Sequence, residues 1–148
     1  IFAAIFLSMT GNLMASMAFS NTRLGNVHAA TNPICGFFGV PHGLANAIFL
    51  PHVMKFNVLG DPKKFADIAE ALGEDIYGCT QLEAAYKAVD AVKCLLRDTG
   101  IPQTFREVGV KEDAFEAMAK DAMTSGNILV NPRTTTLMDI INLYKAAF

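Results

Sequence analysis

The chain has 148 residues, 52% of them apolar and 18% charged, with a formal net charge of −2. That length and hydrophobicity suit one packed domain and exclude a disordered chain, and the slight acidity excludes the basic surface that a nucleic-acid partner requires. The charges are unevenly placed: residues 1–60 hold only Arg23 and Lys55, and all 14 carboxylates lie beyond residue 60.

The first element, Ile1 to Thr22, carries no charge over 22 residues and is long enough to cross a bilayer. Ser8, Thr10, Gly11, Asn12, Ser16, Ser20 and Asn21 interrupt it, and no basic flank precedes it, so neither a membrane span nor a signal peptide is expected. It reads instead as a buried core helix. The pattern opens on Ile1 without a cap, as in a fragment of a longer protein. A break at Ser20 to Arg23 leads into a short helix predicted to end before Pro33, followed by a Gly- and Pro-rich corner, Cys35 to Pro41. Pro41 suits the first turn of the next helix, which carries His42 to about Leu50. Pro51 is expected to kink or restart it, and Val53 to Val58 continues the apolar pattern up to Gly60-Asp61-Pro62.

Asp61 can cap a helix with Pro62 in its first turn, running to about Leu72 and stopping at Gly73. Thr80 and Glu83 form a capping-box pattern ahead of a longer helix ending near Gly100, with one apolar stripe of Leu82, Ala85, Val89, Val92 and Leu96. Glu112 to Met123 and Thr136 to Ala147 read as two more helices around an irregular stretch, Thr124 to Arg133. No run alternates in the manner of a strand, so the expected fold is all-α, with residues 1–148 forming one helical domain.

Three cysteines, Cys35, Cys79 and Cys94, form no Cys-x-x-Cys pair and leave an odd count, which fits a reducing cytoplasm. All three histidines, His28, His42 and His52, lie in the acid-free portion. A lone histidine on an apolar face is ordinarily a core residue, and His52 keeps that reading. His28 and His42 flank the Gly and Pro corner, which can fold one back toward the other so that the imidazoles share a metal. Asn32, four residues after His28, shares its helix face and either reaches a ligand beside the metal or ties down the backbone before Pro33. Cys35, midway between the histidines, admits a His, Cys, His zinc site as the lesser alternative to a small buried thiol. Two imidazoles do not complete a first-row metal site, and no carboxylate precedes residue 61. The site is therefore expected to be half present.

The residues Ala18-Phe19-Ser20-Asn21, Leu24-Gly25-Asn26-Val27-His28 and Gly36-Phe37-Phe38-Gly39-Val40-Pro41-His42-Gly43, followed by Leu44-Ala45-Asn46-Ala47, resemble the iron-containing alcohol dehydrogenases. So do Leu50-Pro51-His52-Val53-Met54-Lys55-Phe56-Asn57 and Asn131-Pro132-Arg133, and the likeness covers nearly the whole chain. The resemblance implies the helical C-terminal domain of the dehydroquinate synthase-like architecture, with a dinucleotide-binding α/β domain upstream. It implies that His28 and His42 are two of four metal ligands, the others being an upstream Asp and His one helical turn apart.

The implied chemistry is hydride transfer between a small alcohol and NAD or NADP, with Fe2+ or Zn2+ as Lewis acid, in a cytoplasmic homo-oligomer. Phe19 and Asn32 would line the substrate pocket. Asn32 stands where many members carry a proton-relaying histidine, and asparagine cannot change charge near pH 7, so that relay is unavailable here. The isolated fragment should not catalyse. A different reading keeps the histidines in the core of a non-catalytic helical assembly or binding domain. A third, a sugar-phosphate lyase related to dehydroquinate synthase, fits the motifs less well.

Overall fold

The computed structural model describes residues 2–148, and these are all-α, with no strand among them. Among the described residues seven α-helices follow one another, with three short 3-10 turns between the later ones: α1 (Phe2–Thr22), α2 (Asn26–Phe38), α3 (His42–Asn57), α4 (Pro62–Ala71), α5 (Gln81–Asp98), α6 (Phe115–Ala122) and α7 (Leu137–Ala146). The caps follow the local chemistry. Asp61 accepts from the Lys64 amide at 3.1 Å, and both capping boxes are closed, Thr80 with Glu83 and Thr136 with Asp139.

The helix end expected before Pro33 and the restart expected at Pro51 are absent. Helix α2 runs through Pro33 to Phe38, and α3 runs through Pro51 to Asn57. A proline removes one helical donor and crowds the preceding turn, at a cost of about 3 kcal/mol in an isolated helix. Here Ala29, Ala30 and Ile34 of α2 and Ala45, Ile48, Phe49 and Val53 of α3 share one buried cluster, and that packing carries both helices past their prolines. The corner therefore shrinks to Gly39-Val40-Pro41. Gly39 has φ +66 and donates its N–H to the Cys35 carbonyl at 3.0 Å, a left-handed helix end that a side chain would strain.

A third expectation is corrected as well. No residue of α1 is buried, and Phe2, Phe6 and Leu7 are 91%, 70% and 69% exposed. Its apolar side chains ring the helix instead of forming one face, so it packs no stripe onto the described body. By length and composition alone it could cross a membrane, with a mean hydropathy of 1.5.

Helices α2, α3, α6 and α7 enclose the main core, where Tyr144 stacks at 5.5 Å on Phe49 and at 5.6 Å on Phe115. A second cluster joins α3 to α4 and α5 through Met54, Val58, Phe65, Ala69 and Val89. The expected α5 stripe is buried except at Leu82, which is 41% exposed.

A polar clamp fastens the irregular stretch to the start of α2 and the end of α3. Asn131 Oδ1 accepts from the Asn26 amide at 3.2 Å and from Asn57 Nδ2 at 3.0 Å, while its own Nδ2 donates to Asn57 Oδ1 at 2.7 Å and to the Arg133 carbonyl at 2.8 Å. Arg133 donates to the Phe56 carbonyl at 3.1 Å and lies 4.1 Å above the Phe56 ring. The Asn-Pro-Arg motif is thus the fastening that sets the beginning of α2, two residues before His28.

Candidate metal centre

His28 lies in the first turn of α2 and His42 opens α3. The left-handed turn at Gly39 reverses the chain between them and brings the two ring centroids to 5.2 Å, at 59° to one another. Both Nε2 atoms meet the same group: Asn46 Nδ2 is 3.3 Å from His28 Nε2 and 3.0 Å from His42 Nε2. Asn46 follows His42 by four residues and so shares its helix face. The other end of its amide contacts the Thr31 hydroxyl at 2.5 Å, and Thr31 is also 2.9 Å from the Val27 carbonyl.

Burial first, and the neighbouring His42 second, hold His28 below the usual histidine pKa. A neutral imidazole is the form a metal takes. The donor set thus fits a first-row divalent ion: two imidazole nitrogens converge on one point, now taken by the Asn46 amide, and burial disfavours the protonated form of His28. It is not a full set, because among the described residues no group of three His, Cys, Asp or Glu comes together.

The other candidates fall in different places. Asn32, one turn past His28, is exposed. Cys35 is half-buried and lies 3.6 Å from His42 Nδ1, on the edge of the ring opposite Nε2, so it does not converge with the histidine pair on one point. Burial pushes its thiol pKa up. His52 lines a separate cleft of about 440 Å³ with Lys55, Tyr86 and Lys93, and its pKa is lowered by burial first, then by Lys93 and Lys55. Phe19 is 38% exposed on α1.

A cleft of about 350 Å³ opens beside the pair, with apolar walls from Leu24, Val27, Ala47 and Leu50 and polar groups from His28 and Asn46. Phe19 and Asn32 are not among its lining residues. Asn46 and Thr31 are contributors that sequence reasoning missed. The four-residue interval from His42 was the signal for Asn46, whereas Thr31 meets it only because α2 and α3 pack together.

Residues 7–148 match the model of the Fe-containing alcohol dehydrogenase family, C-terminal. The chain is 47% identical over 137 residues to 1,3-propanediol dehydrogenase of Klebsiella pneumoniae, covering 93% of this chain and 35% of that protein. It is 44% identical over 138 residues to lactaldehyde reductase of Escherichia coli, covering 93% and 36%. The crystal structure of a 1,3-propanediol oxidoreductase superposes with a TM-score of 0.90 at 47% identity, over 92% of this chain and 36% of that one. The chain spans about a third of the length of these relatives.

Proposed function

The chain belongs to the Fe-containing alcohol dehydrogenase family, and from that premise we propose that it is the helical, metal-binding part of an enzyme interconverting a small alcohol and its aldehyde or ketone with NAD or NADP. The observation that carries this reading is the convergence of His28 Nε2 and His42 Nε2 on one amide. A bound iron(II) or zinc ion supplies Lewis acidity, which lowers the pKa of an alcohol hydroxyl and polarises a carbonyl.

His28 and His42 would hold that ion through the Nε2 atoms that now face Asn46 Nδ2, and the amide would turn aside to admit it. Leu24, Val27, Ala47 and Leu50 offer an apolar wall to the carbon chain of the substrate. Asn32 holds no transferable proton, so water or another side chain moves the hydroxyl proton to solvent. The rest of a protein about three times as long supplies the nucleotide site, the remaining metal ligands and cover for the bare apolar surface of α1. We also propose a cytoplasmic location, with which three unpaired cysteines are in keeping, and a homo-oligomeric assembly.

The test is metal content and turnover of the complete protein with His28→Ala or His42→Ala. Each substitution is expected to lower bound metal severalfold and abolish turnover. Wild-type metal content in either variant would refute the assignment.

A further inference from the structure

We propose that Cys35 is a positioning residue for His42: its sulfur accepts a hydrogen bond from His42 Nδ1–H and holds the ring with Nε2 turned toward His28. This rests on His28 and His42 being metal ligands. A neutral imidazole carries one N–H, so once Nε2 is committed to a metal the proton resides on Nδ1, and the partner of that proton sets the angle of the ring. The atom facing Nδ1 is Cys35 Sγ, at 3.6 Å, within the longer reach of a sulfur acceptor.

The two histidines need different support. His28 is half-buried, its Nδ1 is sealed in the interior without a hydrogen-bond partner, and Val27 and Ala29 beside it pack with the core. Packing therefore holds that ring. His42 is exposed at the start of α3, so burial does not hold its ring. Cys35 comes from the last turn of α2, across the tight Gly39 turn, and packs against the main core cluster. A sulfur anchored in this way transfers the rigidity of α2 to a ring that stands on the surface of α3. The same geometry separates positioning from ligation, since Sγ and the converging Nε2 atoms lie at opposite edges of the His42 ring.

The complete protein carrying Cys35→Ala, Cys35→Ser or His28→Ala tests this, with cobalt(II) as the probe. Cobalt affinity is read by chelator competition and the ligand set by the visible and near-ultraviolet spectrum of the loaded protein. Second partners of ligating histidines commonly contribute 10- to 100-fold to metal affinity, and sulfur is a weak acceptor, so Cys35→Ala should weaken binding about 3- to 10-fold. Cys35→Ser, which keeps an acceptor, should recover to within about twofold of wild type, and the wild-type spectrum should lack a thiolate-to-cobalt band. Unchanged affinity in Cys35→Ala, or equal loss in the Ala and Ser variants, would overturn the proposal. A thiolate band that vanishes in Cys35→Ala would overturn it too, by making Cys35 a ligand. Retention of cobalt by His28→Ala would instead bring down the underlying metal assignment.

Discussion

The Tyr144 hydroxyl donates to the Ala30 carbonyl at 2.6 Å, with both residues at 0% exposure, and so joins the last helix to the helix that carries His28. Burial first, and Asp121 second, push the ionisation of this phenol far above its usual range, so it remains a donor at any physiological pH. Tyr144→Phe keeps the ring contacts with Phe49 and Phe115 and removes only the hydrogen bond. A loss of about 1 to 1.5 kcal/mol in unfolding free energy is expected. Denaturant unfolding measures it, and an unchanged midpoint would show that the bond contributes nothing.

Asn131 is the hub of the clamp that sets the start of α2. Asn131→Ala strips partners from the Asn26 amide and from Asn57, which is 7% exposed, and is expected to cost about 2 to 3 kcal/mol. Gly60→Ala probes the same junction by overpacking, because an added Cβ would come within 2.9 Å of the Pro132 carbonyl oxygen. About 1 to 3 kcal/mol of destabilisation should follow. Thermal unfolding of the two variants decides, and wild-type stability in both would remove the clamp from the account of the fold.

The Thr136 and Asp139 box caps α7, the helix that supplies Tyr144. Hydrogen bonds from the Thr136 side chain and then its backbone hold the Asp139 carboxyl below the usual aspartate pKa, with a smaller contribution from Arg133. A carboxyl lowered on folding adds stability that is fully present above the usual aspartate range and is lost as pH falls through the lowered value. Thr136→Ala should cost about 1 kcal/mol at neutral pH and return the Asp139 titration, followed by NMR, toward its ordinary position. An unmoved titration would contradict the capping account.

Asn32 stands one turn past His28 without a titratable proton. In the complete enzyme, Asn32→His introduces a group that titrates near 6.5 and is expected to add an inflection to the pH profile of kcat while leaving metal content unaltered. A profile identical to that of the wild type would exclude proton relay at this position.

The caps at Asp61, Thr80 and Thr136 were legible in the sequence because each rests on a side chain and an amide only a few residues apart. The sequence also admitted the pairing of His28 with His42, since a Gly and Pro corner between them can fold one back toward the other. Pro33 misled a local reading, as did Pro51 where it suggested a restart. Their cost is local, but the packing that outweighs it comes from faces of α2 and α3 that meet only in the folded chain. Helix α1 misled it in the opposite direction: its apolar composition implied burial, yet nothing in the described body covers it.

Charge distribution, helix class, capping chemistry and the missing carboxylates were determined by the sequence alone, because each depends on residue type and short intervals. That both Nε2 atoms would meet Asn46, that Cys35 would face the opposite edge of His42, and that Asn-Pro-Arg would become a clamp was decided by the tertiary structure. Those relations depend on how α2 and α3 cross and on the side-chain directions that result. Spacing along a chain does not encode that geometry.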